Sequence, residues 1–102
     1  MPSITAPLKD NEFIRQFEAQ VDQVFIAIEY SKQERKIFLS RLHQNPPEGL
    51  TTVQVDAFLE QVFDYVRSLG RLKIVPTGKE VARFFKARKK QYDDLIPMGM
   101  SL

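Results

Sequence analysis

The chain has no cysteine and no tryptophan, and among its 102 residues it holds one histidine and four glycines. Without cysteine there are no disulfides, no thiolate metal sites and no sulfur nucleophile, and nothing points to an oxidising compartment. With His43 as the sole imidazole, a Ser-His-Asp arrangement would have to be built around it. No G-x-S-x-G turn supplies the serine. Glycine is too sparse for a phosphate-cradling loop, and "PTGKE" has a Gly-Lys pair without the Walker spacing or an upstream strand. No apolar run approaches the length of a membrane span, and "MPSITAPLKD" lacks the basic and apolar regions of a secretion signal. The expectation is a soluble cytoplasmic protein.

What is present is a single domain's worth of apolar side chains. The hydrophobic fraction is 43% and there are eight Phe, against 27% charged residues. That balance predicts a folded globule with a well-solvated surface. The net charge of +2 is unevenly spread. Residues 1–70 carry seven Lys or Arg against ten Asp or Glu, whereas residues 71–102 carry eight against three. A mildly acidic body with a basic C-terminal third suggests that this third meets something anionic.

Apolar spacing predicts helices. Pro2 and Pro7 make residues 1–9 a loose arm, after which Phe13, Ile14, Phe17, Val21, Val24, Phe25 and Ile28 recur at three- and four-residue steps, capped by Asp10 or Asn11. "SKQE" at Ser31–Glu34 has the form of a capping box opening a second helix, with Ile37, Phe38 and Leu42 as its apolar face and "NPPEG" as its stop. The alternative is one long helix bent near Tyr30 and Ser31. Thr51 with Gln54 caps a third helix carrying Val55, Phe58, Leu59, Val62, Phe63, Val66 and Leu69, and Gly70 ends it. "RLKIVP" is a short connection extended at Val75, and "TGKE" is a further capping box, Thr77 with Glu80. The predicted fold is all-α: a bundle of about four helices over residues 10–96, with 97–102 as a tail.

The remaining candidate chemistry is thin. His43 has the plain reading of a solvated residue at a helix end. Asp93 and Asp94 are adjacent, so on a helix they diverge and neutralise the preceding basic run, while Glu60 and Asp64 form a solvent-facing strip. No catalytic residue, metal ligand or cofactor site is expected, and the chain reads as a binding module with no enzymatic activity.

On a helical wheel Lys79, Arg83, Lys86 and Lys90 share one face of the last helix, flanked by Lys89, with Val81, Phe84, Phe85, Tyr92 and Leu95 opposite. Arg88 falls on the apolar side, so either its stem snorkels from the core edge or the helix leaves the body there. Arg71 and Lys73 widen the cationic footprint. The plainest reading is a solubilising face. The functional ones are nucleic acid, DNA or RNA, held through phosphates, or an acidic protein surface; a membrane is disfavoured because the aromatic face is needed for the core. "TGKEVARFF" also resembles the opening helix of a helix-turn-helix motif, with Val81, Ala82 and Phe85 at its apolar and small positions. Lys86 stands where that family places a turn glycine, and no Ser or Thr caps a following helix, so no base-contacting residues are implied. A last alternative is an adaptor, small subunit or homo-oligomer docking through the apolar face of the first helix.

Overall fold

The computed structural model describes residues 4–47 and 49–100. It overturns the all-α bundle: five strands form one sheet and two helices pack on it. In chain order these are β1 (Ile4–Asn11), β2 (Gln16–Val21), β3 (Val24–Gln33), β4 (Lys36–Asn45), α1 (Thr52–Leu69), β5 (Lys73–Pro76) and α2 (Lys79–Ala87), followed by a 3-10 turn at Asp93–Leu95. The sheet runs in sequence order, antiparallel from β1 to β4, with β5 parallel to β4 after the α1 crossover.

The predicted first helix is two hairpins. Phe13, Phe17 and Val21 are four apart, a spacing that fits a strand's period of two as well as a helical turn. The intervening residues decide it: Phe17, Ala19 and Val21 are buried while Gln16, Glu18 and Gln20 alternate with them. The chain reverses at Asp22 and Gln23, both with positive φ (49° and 68°), the geometry of a two-residue hairpin turn. β1 begins at Ile4, within the stretch expected to be an arm, while residues 1–3 of that arm and residues 101–102 of the tail lie outside the described residues.

"SKQE" is no cap either. Ser31–Gln33 finish β3, and Glu34 turns into β4 with φ 58°. The Pro-Pro segment does stop the element before it, which is a strand.

The later part follows expectation more closely. Thr51 caps α1 and exchanges bonds with Gln54 in a full capping box, and Gly70 ends the helix at φ 74°. Val75 is extended as expected, within β5.

Both helices lie on one face. Val55, Phe58, Leu59, Val62, Phe63 and Val66 of α1 and Val81, Phe84 and Phe85 of α2 join Phe17, Val21, Ile26, Ile28, Ile37, Leu39 and Ile74 in one core. On the opposite face Lys9, Glu18, Ala27 and His43 are in register across four strands, the fully buried Ala27 being the one apolar member. Glu18 accepts from Asn11 Nδ2 at 2.9 Å and Gln16 Nε2 at 2.6 Å, and His43 contacts Glu29. A face that satisfies its own polar groups is stable in water without a covering layer. His43 therefore sits mid-strand, at no helix end. No helix among the described residues is long and apolar enough to cross a membrane.

The junction from β5 into α2 depends on backbone proximity. Thr77 N and Gly78 N both donate to the Leu39 carbonyl, at 2.9 and 3.2 Å, and Thr77 Oγ1 donates to it at 3.1 Å. The expected Thr77 cap is thus replaced: Gly78 is the N-cap and no side chain caps α2. A Cβ on Gly78 would lie 1.8 Å from the Ser40 carbonyl oxygen, so any side chain there drives β4 and α2 apart. Gly78→Ala is expected to cost on the order of 2–3 kcal/mol, lowering Tm by roughly 10 °C or more. An unchanged Tm in calorimetry would contradict this packing.

Candidate functional site

The basic run does not form one stripe. α2 spans nine residues and ends at Ala87, so Lys89 and Lys90 leave the helix on turn residues instead of continuing its face. Tyr92 and Leu95 remain buried, carried by that turn and the 3-10 segment. Among the described residues no second helix of a helix-turn-helix motif follows α2, only the 3-10 turn at Asp93–Leu95.

Aromatic packing decides which side chains face out. The Phe63 ring meets Phe84, Phe85 and Tyr92 at centroid distances of 4.9, 5.0 and 5.0 Å, and all four are fully buried. With those rings turned in, Lys79, Arg83, Lys86, Lys89 and Lys90 are exposed. Arg88 behaves as a snorkelling residue: it caps α2 with its guanidinium 4.6 Å from the Phe84 ring centroid, at the core edge.

The eight nominated cations divide into groups. Lys86, Arg88, Lys89 and Lys90 line a single hollow of about 430 Å³ with Ala87 and Gln91. Arg83 and Arg88 share the carboxylate of Asp56 on α1, at 3.1 and 3.8 Å. Lys79 lies apart, in a cleft of about 440 Å³ where β4 and α2 diverge, lined by Ser40, Arg41, Leu42, Thr77, Gly78 and Glu80. Lys73 is in another cavity with Glu34, Arg35, Lys36, Pro97 and Met98. Arg71 is exposed ahead of β5, with φ 63°. Among the described residues Lys79, Lys86, Lys89 and Lys90 make no ion pair.

Sequence reasoning missed Arg41, Arg35 and Lys36. Arg35 and Lys36 were absorbed into a supposed helix start. Arg41 lies within a register shift between the Tyr30–Leu39 and Ile28–Leu42 pairs, which leaves no compositional mark.

A clamp fixes the segment that carries the hollow. Arg67 of α1 donates to both Asp94 oxygens at 2.7 and 3.0 Å and to the Gln91 carbonyl at 2.7 Å, while Lys73 Nζ donates to the Asp94 carbonyl. Asp94 is thus tied to α1 and β5 and does not neutralise the basic run. The Tyr92 hydroxyl donates to Asp64 at 3.2 Å. Burial, reinforced by the Asp64 charge, raises the Tyr92 phenol well above its ordinary value. Burial and the Asp10 hydrogen bond, at 2.6 Å, raise Tyr30 likewise. The Arg67 hydrogen bond holds the Asp94 carboxyl below the usual carboxylate range. No cluster of three or more potential metal ligands occurs among the described residues.

Compared with known proteins, the chain matches no family model, no curated sequence and no solved structure.

The clamp has a pH signature. Asp94 binds its proton less readily folded than unfolded, so its contribution to stability is present above the usual carboxylate range and is lost as pH falls through the lower folded value. Asp94→Asn should therefore lower stability at neutral and alkaline pH and flatten the acid limb, with the two proteins converging once the pH falls below the folded value of Asp94. An identical acid limb in the two proteins would show the clamp to be energetically idle.

Proposed function

We propose that this chain is a non-enzymatic binding module that holds nucleic acid through its phosphates, and that it works in the cytoplasm. The observation that carries the reading is the convergence of Lys86, Arg88, Lys89 and Lys90 on one hollow, three of them exposed and without a carboxylate partner among the described residues. Cations left unpaired on a surface keep their counterions loosely, and releasing those counterions drives association with a polyanion. The clamp at Arg67 and Asp94 supports the reading, because it orders the turn that presents Lys89 and Lys90 before any ligand arrives. The cytoplasmic setting rests on the cysteine-free composition.

A second reading is favoured by a separate observation. The apolar helical face expected to dock a partner is absent, since Phe17, Val21 and Ile28 are core residues. Phe13 and Ile14, however, lie at the β1–β2 turn 96% and 52% exposed. An apolar hairpin tip of this kind suits protein docking. Phe13→Asp with Ile14→Asp would dissociate such a complex without unfolding the chain, as read by sedimentation velocity.

For the leading reading, replacing Lys86, Lys89 and Lys90 together by Glu is expected to weaken nucleic-acid binding at least tenfold in fluorescence anisotropy. Stability should change by no more than about 0.5 kcal/mol, because the three side chains face solvent. Undiminished binding would overturn the assignment. Asp56→Asn tests the same surface from the other side. It releases Arg83 and Arg88 from their shared carboxylate, so binding should tighten and grow more salt-dependent; weaker binding would mean that the Asp56 contacts hold the surface in shape.

A further inference from the structure

The arrangement of cations around α2 goes beyond a general affinity for phosphate. We infer that the surface is built for the two phosphate ridges of a B-form DNA duplex, with α2 lying across the major groove; this rests on the nucleic-acid reading above.

Two groups of cations bracket the helix. Arg41 and Lys79 line the cleft at its N-terminal end, and Lys86, Lys89 and Lys90 line the hollow at its C-terminal end. The helix that carries Lys79 and Lys86 is nine residues long, about 13 Å at 1.5 Å per residue, and these two cations, seven residues apart, are separated by roughly 10 Å along its axis. The major groove of B-DNA is about 12 Å wide and is bounded on either side by a phosphate ridge. Cationic groups at both ends of a helix of this length can each meet one ridge. Glu80 shares the cleft with Arg41 and Lys79, but it sits in the first turn of α2, where the free backbone N–H groups offset its charge.

A single strand calls for a different surface. It offers one flexible backbone and unstacked bases, and proteins that hold it supply exposed aromatic rings for those bases. Here the aromatic side chains of the element, Phe84 and Phe85, and Tyr92 beyond it, are all fully buried against Phe63. The rings of this surface are committed to the core, and the exposed Phe13 lies away from it at the β1–β2 turn. What faces out is charge, with Ala87 among the hollow's lining. The A-form RNA duplex fits less well, because its major groove is deep and narrow and keeps side chains out.

The test is fluorescence anisotropy on the full chain with a labelled DNA duplex, one of its strands alone and the RNA duplex of the same sequence, each over a range of salt concentrations. The duplex DNA is expected to bind at least tenfold more tightly than the other two. Its log–log salt dependence should have a slope of roughly −4.5, from five engaged cations at about 0.9 each. Arg41→Glu with Lys79→Glu should bring that slope to roughly −2.7 by releasing one ridge. Equal or tighter binding to the single strand or the RNA duplex would overturn the duplex assignment, as would an unchanged slope in the double variant. Absence of binding to all three probes would instead overturn the nucleic-acid reading on which it rests.

Discussion

The contact on which the rest of the molecule depends is the aromatic cluster around Phe63. This one α1 side chain meets Phe84 and Phe85 of α2 and Tyr92 of the following turn, and all four rings are removed from water. Burying such rings contributes several kcal/mol in area alone, at roughly 25 cal/mol per Å². It also fixes the rotation of α2 about its own axis. Once Val81, Phe84 and Phe85 point inward, Lys79 and Lys86 are left exposed to solvent and Arg83 reaches the Asp56 carboxylate. Tyr92 does the same for the turn, so Lys89 and Lys90 are held outward though no helix carries them.

Charge and polarity are distributed in keeping with this layering. The sheet face away from the helices mixes half-buried Phe25 and Phe38 with self-paired polar groups, Glu18 bonded by Asn11 and Gln16 and Glu29 by His43. Groups satisfied in this way have little to gain from a partner. The cations around α2 are in the opposite condition. Where a carboxylate is near, as Asp56 is to Arg83 and Arg88, one negative charge serves two positive ones and leaves an excess. Of the acidic residues of the last third, Asp94 is tied to Arg67, and Glu80 lies in the first turn of α2, where the free backbone N–H groups offset its charge.

How much of this was legible in the sequence depended on whether the deciding signal was local. The capping box at Thr51 and Gln54 and the stop at Gly70 are satisfied within a few residues, and α1 was readable from them. The hairpins were not, because Phe13, Phe17 and Val21 obey two periods at once. β3 obscured matters further: Ile26, Ala27 and Ile28 are all fully buried, so the alternation that marks a strand vanishes in the middle of the sheet. Its turns carry no glycine signature either, since Asp22, Gln23 and Glu34 take positive φ themselves. For the candidate site, the basic run was visible as composition, but its division into hollow and cleft was not. That division follows from where α2 stops, and α2 stops at Arg88 without a glycine or proline to announce it. Thr77 misled for a related reason: its hydroxyl is drawn to the Leu39 carbonyl, a residue far away in sequence.

The central claim is that the surface around α2 is where the molecule meets its partner. The most direct measurement is a nuclear magnetic resonance titration of the isotope-labelled protein with a short DNA duplex, following every backbone amide. Shifts should concentrate at Arg41, Lys79 and Lys86 through Gln91, leaving the opposite sheet face and the Phe13–Ile14 turn undisturbed. Shifts centred on that turn or on the row of Glu18, Ala27 and His43 would contradict the account, as would a spectrum that the duplex leaves unchanged.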